Sequence, residues 1–201
     1  MAKEINPICR KCRRAGSKLY LKGERCLSTK CSFTRRSYPP GKKGAAGVSF
    51  RKSDYGQQLA EKQKIKNIYF VLERQFRNIF KKASQSDNAS LELLILLEMR
   101  IDNVLRRAGL ASSTKSARQL VNHKHIKINY STVKSSNYTV KIGDKIALDK
   151  SALKDIKSVN EVASWLKVDD KKGIIEVTGM PTRDHISQDI KEDLVVELYS
   201  R

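Results

Sequence analysis

The chain has 201 residues, with 41 Lys and Arg against 21 Asp and Glu, for a formal net charge of +20. Repulsion on this scale disfavours a compact fold unless a polyanion neutralises it, and nucleic acid is the usual polyanion. The start, MAKEINPICRKCRRAG, has no apolar stretch behind its charges, and the longest apolar run, SLELLILLEMRIDNVL, is broken by Glu92, Glu98, Arg100 and Asp102. Neither a secretory signal nor a membrane span is therefore expected, and the chain reads as cytosolic.

Residues 1–52 hold 15 Lys and Arg against 2 Asp and Glu, so most of the surplus charge lies in the first quarter. That quarter has few hydrophobics, and Pro39-Pro40 with Gly41, Gly44 and Gly47 favours extended, irregular backbone. It reads as a basic arm lying on a polyanion. Cys9, Cys12, Cys26 and Cys31 fall here with spacing C-x2-C-x13-C-x4-C. Two such pairs can close a four-thiolate site, and a filled site is structural because no position stays open for water or substrate. The neighbouring Arg10, Lys11, Arg13, Arg14, Arg25 and Lys30 favour thiolate over thiol. Zinc is the default occupant, an iron–sulfur cluster uses the same ligands, and unrelated thiols or a disulfide pair are the bland alternative.

From Ser53 the texture turns helical. Leu59, Ile65, Ile68, Tyr69, Leu72, Phe76, Ile79 and Phe80 are spaced for two helices with a break around Tyr69–Leu72, started by Ser53 or Asp54. A polar loop, SQSDNAS, precedes a helix through LELLILLEMRIDNVLRRAG, capped by Ser90 and stopped at Gly109. A short helix follows from Ser112 or Ser113, with Ala117, Leu120 and Val121 on one stripe. Beyond His125 the period becomes two. Ile126 and Ile128, Val140 and Ile142, then Ile146 and Leu148 predict a small antiparallel sheet, with Gly143-Asp144 as a turn. A helix at roughly Val159–Trp165, a DDKKG turn, a strand at Ile174–Val177, a loop through MPTRDHISQDI and a last short element complete the chain. The fold class is α+β.

The segment RIDNVLRRAGLASSTKSARQLVNHKHIKIN resembles the RNA-binding domain of the uS4 family of small-subunit ribosomal proteins. CRKCRRAGSKLYLKGERC, RRSYPPGKKG, SDYGQQLAEKQKIK, ERQFRNIFKKA and EDLVVELYSR resemble its bacterial, cysteine-containing form, and they run in the family's order from Cys9 to Arg201. Two departures concern turns. Asn129-Tyr130-Ser131 stands where the family often has Asn-Gly, and no Pro precedes Asn137-Tyr138.

The resemblance implies a basic metal-bearing arm over 1–52 and a helical domain over 53–95 completed by 178–201. Between them it inserts a small helix–helix–antiparallel-sheet RNA-binding domain (alpha-L type) over 96–177. It implies a primary binder of 16S rRNA at a multi-helix junction of the 5′ domain, which nucleates assembly of the subunit body. It further implies a place on the path by which messenger RNA enters, contacts with proteins uS3 and uS5, a part in decoding accuracy, and in some members repression of their own operon.

Such RNA is bound through shape, phosphates and 2′-hydroxyls. With Ala117, Leu120 and Val121 buried, Lys115, Arg118, Gln119 and Asn122 fall on the outer arc. Ser112, Ser113 and Thr114 bring hydroxyls and backbone N–H groups to the helix start. A solvated face with an ordinary cap is the bland reading, and the resemblance favours RNA. Arg107 or its neighbour Arg106 is expected to reach phosphate, with Asp102 pairing Arg106 at i+4. In the arm Lys18, Lys22, Arg35, Arg36, Lys42 and Lys43 are the phosphate candidates. Tyr20 and Tyr38 suit base stacking and local packing equally. His123 and His125 are read as hydrogen-bond donors near phosphate. An enzyme using the same domain as an appendage needs a catalytic domain and motif that are not found here, and His185 looks isolated from any nucleophile. A recycling or heat-shock RNA-binding factor would need neither the cysteine arm nor the C-terminal return.

Overall fold

The computed structural model describes residues 7–47, 52–149, 162–169, 173–186 and 189–200. The chain folds into two compact units, Met1–Ile68 with Ile190–Arg201, and Tyr69–Asp189. The sequence-based boundaries at 52/53, 95/96 and 177/178 are not lines of this division.

In the first unit the arm is more regular than its composition suggests. It holds α1 (Ile8–Ala15) and three single helical turns, α2 (Glu24–Leu27), α3 (Ser32–Arg35) and α4 (Lys42–Ala45). Its glycines fit into regular structure instead of preventing it. Gly16 takes the left-handed conformation that stops α1 (φ 72°), and Gly44 sits inside α4. The apolar Leu19 and Leu21 and the sulfurs of Cys12, Cys26 and Cys31 are buried and form what core the arm has. α5 (Asp54–Ile68) starts with Ser53 Oγ accepting the Gly56 N–H at 3.2 Å, and packs against α10 (Asp193–Tyr199). Ile65, Ile68, Ile190 and Val195 are buried in this unit. Burying a side chain of this size contributes about 1.5–3 kcal/mol.

The second unit begins after the expected break. α6 (Glu73–Ala83) packs on α7 (Ala89–Glu98). Asn88, not Ser90, caps α7, its Oδ1 accepting the Leu91 N–H at 3.1 Å. The single helix read through Gly109 is two. Arg100 is extended (ψ 139°), and the strand-like 138–140 segment takes its neighbours. Val140 N–H donates to Met99 O at 2.8 Å and Ile101 N–H to Tyr138 O at 2.9 Å. An unbroken apolar period hid this junction, because a bridged residue costs the period nothing. α8 (Ile101–Arg107) ends at Gly109, whose φ of 78° is the expected stop. α9 (Thr114–Asn122) packs against α8.

The described strands are β1 (Ile126–Ile128), β2 (Ser131–Thr132), β3 (Lys145–Leu148), β4 (Leu166–Asp169) and β5 (Ile174–Val177), in the order β2-β1-β3-β5-β4, all antiparallel. Register sets Ile126 against Leu148, Ile128 against Ile146, Ile146 against Ile175 and Leu166 against Val177. That apolar row meets Ile101, Val104, Leu105, Ala117 and Val121 in one core with Trp165. Ile142, read as a strand residue, is half-exposed in a turn. Of the helix expected at Val159–Trp165, residues 162–165 are coil and turn, and the rest lies outside the described residues. β4 went unread because Lys167 and Asp169 leave only a two-residue apolar alternation. A 3-10 turn at Arg183–His185 precedes α10.

Candidate nucleic-acid interface

α9 carries the clearest outward basic-polar stripe. Ser113 caps it, its Oγ accepting the Ser116 N–H at 3.2 Å, while Ala117 and Val121 are buried beneath. Lys115, Gln119 and Asn122, spaced i, i+4, i+7, are exposed together. Ser112 and Ser113 are half-buried. Thr114, expected as a phosphate ligand, is 5% exposed, so its side chain belongs to the interior. Arg118 also departs from the outer arc. Its Nε donates to Asp102 Oδ2 at 2.8 Å and its guanidinium lies over the Phe70 ring, 5.3 Å from the centroid.

Beneath α9 lies a buried ionic network. Asp102 is fully buried and accepts from Arg100 at 3.1 and 3.3 Å as well as from Arg118, so it does not pair with Arg106 as the i+4 spacing suggested. Arg100 also donates to the side chain of Asn137 and to Ser136 O. Glu98, equally buried, takes two bonds from Arg107, at 2.7 and 3.0 Å, one from the Tyr69 hydroxyl at 2.8 Å, and one from the Asn103 amide. Burial alone would raise the Glu98 carboxyl, but the Arg107 charge and these hydrogen bonds overcome it and hold it below the usual carboxylate range. Arg106 instead donates to Asn103 Oδ1 at 3.0 and 3.3 Å. Burial first, then the neighbouring Arg107, holds Arg106 below its ordinary value, as for a cation lacking its own carboxylate. Four guanidinium groups against two carboxylates leave the network with surplus positive charge.

Arg107, expected at phosphate, is thus committed to Glu98 with its side chain 15% exposed.

In the arm Lys22, Arg35, Arg36 and Lys42 are exposed and Lys18 is half-buried. The side chain of Lys43 lies outside the described residues. Arg13 is a strut. It donates to Tyr38 O at 2.9 Å and Pro39 O at 3.3 Å and stacks over the Tyr38 ring at 4.6 Å, which assigns Tyr38 to packing. Arg13, Arg14, Tyr38, Pro39, Lys42 and Lys52 line a cleft of about 730 Å³.

The four cysteines are free. Cys9 and Cys12 share one face of α1, Cys26 lies in α2, and Cys31 caps α3. Burial pushes the Cys12 thiol up, and the other three sulfurs are near enough to add to the rise. Burial also raises Cys26, which accepts the Lys22 N–H at 3.3 Å. At Cys31 burial is outweighed by the N–H groups of Thr34 and Phe33, the Thr34 side chain and the Lys18 charge, so its thiol sits below the ordinary value. These N–H donors and the nearby ammonium are what thiolate ligands need. Yet among the described residues no group of three or more His, Cys, Asp and Glu side chains is arranged to hold a metal ion. The chemistry of the donor set fits a metal, while the arrangement of the side chains does not.

Comparison with known proteins bears on the whole chain. The profile of the "Ribosomal protein S4/S9 N-terminal domain" matches residues 3–98, and that of the "S4 domain" matches residues 99–146. Small ribosomal subunit protein uS4 of Caldicellulosiruptor bescii is 46% identical over 210 residues, and that of Desulfotalea psychrophila 47% over 211, each alignment covering 100% of both chains. The uS4 protein of Clostridioides difficile is 44% identical over 209 residues, again across the full length of both. The chain belongs to the uS4 family.

For a uS4 protein the α9 stripe and the arm's exposed cations are two surfaces, among the described residues, open to a polyanion. Lys115, Gln119 and Asn122 stand together on α9; Thr114, Arg107 and Arg118 serve the interior of the same unit. His123 and His125 follow at the end of α9 with rings parallel to within 7° and 6.2 Å apart, His125 Nδ1 lying 3.9 Å from Asp149 Oδ2. His185 is not isolated. Its Nε2 lies 2.8 Å from Ser164 Oγ, but the Thr182 N–H donates to Nδ1 at 3.0 Å. In the neutral ring Nε2 must then carry the proton and donate to the hydroxyl, the reverse of a base activating a nucleophile. The Arg100–Asp102 pair was missed. Its one signal was a charged pair flanking Ile101 inside an apolar run.

Proposed function

We propose that this protein is a structural constituent of the small ribosomal subunit, in the cytoplasm, and a binder of 16S rRNA; it is not an enzyme. The observation that carries this is full-length identity of 44–47% with uS4 proteins. The +20 charge and the two exposed basic surfaces supply what an RNA scaffold requires.

The finer reading follows from the family resemblance. The chain docks on a multi-helix junction of the 5′ domain and nucleates assembly of the body. It contributes to the messenger RNA path and to decoding accuracy beside uS3 and uS5; repression of its own operon is a property of some members of the family. In this reading the arm 1–52 tracks phosphates, the helical part 53–95 with 178–201 supports it, and 96–177 is the RNA-binding module. Cys9, Cys12, Cys26 and Cys31 take one structural metal, zinc before an iron–sulfur cluster. The N–H groups aimed at three sulfurs and the Lys18 charge beside Cys31 support it. Closing that site requires the sulfurs to draw together.

Sedimentation tests the main claim. The protein should travel with small subunits at physiological salt, and separation from them overturns the ribosomal reading in favour of a free RNA-binding factor. Footprinting on 16S rRNA with and without residues 1–45 tests the arm, whose removal should erase part of the protected junction.

A further inference from the structure

The hairpin joining β1 to β2 turns on Asn129 and Tyr130, closed by the pair Ile128–Ser131. Both turn residues have positive φ, 46° and 69°. A two-residue turn of this kind favours Asn followed by Gly, because a β-carbon at the second position is strained. Asn129 suits its place. Its N–H donates to Lys145 O at 3.0 Å, its Nδ2 to Asp144 Oδ1 at 2.8 Å, and its Oδ1 accepts the Lys145 N–H at 3.1 Å. Tyr130 gains nothing locally. It is 101% exposed, as open as in an extended chain, so its strain is not offset by burial.

Asn129 and Asp144 fix the tip, so the ring is held outward on a firm support. Its surroundings are basic. Between His123 and Leu148 stand Lys124, Lys127, Lys134, Lys141 and Lys145, all exposed, while Asp144 is buried and bonded. Lys127 pairs with Asp149 at 3.5 Å and Lys145 with Glu176 at 3.8 Å, which leaves Lys124, Lys134 and Lys141 as the surplus positive charge. An aromatic face on a firm tip within a positive field matches an unpaired nucleobase, which stacks on the ring while its phosphates meet the lysines.

We propose that Tyr130 is a base-stacking residue, presented by the β1–β2 turn to an unpaired nucleobase of the bound RNA. The proposal rests on the rRNA-binding reading above and adds a contact peculiar to this chain's turn sequence.

The test uses full-length protein and 16S rRNA, with affinity measured over a salt series for the parent, Tyr130→Phe and Tyr130→Gly. Glycine suits the turn, so Tyr130→Gly should fold and melt higher than the parent. Its rRNA affinity should nevertheless fall by roughly 5- to 160-fold, the range of one lost base stack. Tyr130→Phe should bind like the parent. Both variants should keep the parent's slope of log affinity against log salt, since no phosphate contact is lost. Parental affinity in Tyr130→Gly overturns the proposal, as does a flattened slope. A defect seen only on subunits already carrying their proteins overturns it too, because the ring would then face a protein. If the parent itself binds rRNA without salt dependence, the underlying reading fails first, and by a different signature.

Discussion

Arg107 grips Glu98 with two N–H bonds, at 2.7 and 3.0 Å, while Glu98 is 1% exposed. The glutamate is the fulcrum of the α7–α8 junction, because the same carboxylate also takes the Tyr69 hydroxyl and the Asn103 amide. Removing one partner of such a pair strands the other charge in the interior and costs about 3–5 kcal/mol. Arg107→Ala should therefore lower the stability of the unit by about that amount in denaturant unfolding. Any loss of rRNA affinity should be recovered by conditions that restore folding.

The same carboxylate sets a pH dependence. Its folded pKa lies below the usual value, so its contribution is fully present above the unfolded pKa, about 4.3, and is lost as pH falls through the folded one. Chemical denaturation between neutral pH and pH 3 should show stability falling at the acid end. In Glu98→Gln, starting from a lower plateau, that part of the fall should be absent. An unchanged acid limb in Glu98→Gln would remove Glu98 as its source.

Lys115 and Arg118 separate binding from folding on one helix. Lys115 is exposed, whereas Arg118 is bonded to the fully buried Asp102. Lys115→Ala should leave unfolding unchanged and reduce the salt slope of rRNA binding by roughly 0.7–0.9, one phosphate contact. Arg118→Ala should destabilise the unit by about 1.5–3 kcal/mol, the worth of a hydrogen bond to a charged group. Asp102 keeps Arg100, so the loss stays below that of a stranded charge.

The contrast shows what was legible in the residues. Ala117 and Val121 fixed the orientation of α9, and the stripe Lys115, Gln119, Asn122 followed from 3.6-residue geometry. Arg118 sits at the edge of that stripe, where rotation alone cannot say whether a long side chain reaches water or curls onto a neighbour. Its partner Asp102 lies 16 positions earlier. The break at Arg100 was hidden for a related reason, since its cause is the distant backbone of 138–140. Local pattern found faces and caps, and long-range polar pairing needed coordinates.

Freshly purified protein should carry one zinc per chain by elemental analysis, or the visible absorbance of an iron–sulfur cluster. Chelation should expose the arm to protease. The buried Trp165, the chain's single tryptophan, reports on the other compact unit, and its fluorescence should stay unchanged. Fresh protein with neither metal nor cluster sinks the metal assignment and leaves the rRNA reading standing.

Gly44 tests whether the arm's shape, beyond its charge, matters for binding. A β-carbon there would lie 2.1 Å from Pro39 O and 2.8 Å from Pro39 C, both backbone atoms, so the Pro39 turn must move. That turn is the one Arg13 holds through Tyr38 O and Pro39 O. Gly44→Ala should thus cost about 1–3 kcal/mol of local stability by overpacking and displace the Tyr38–Lys42 segment from α1. Because no charge changes, a pure polyelectrolyte arm would bind rRNA as before. A shaped arm should lose affinity at every salt concentration with the slope preserved. Gly16→Ala is the control. It meets nothing within 4 Å and strains only the stop of α1 at φ +72°. Equal affinity losses in the two variants would mean that helix ends, and not the Gly44–Pro39 contact, set the arm's fit to RNA.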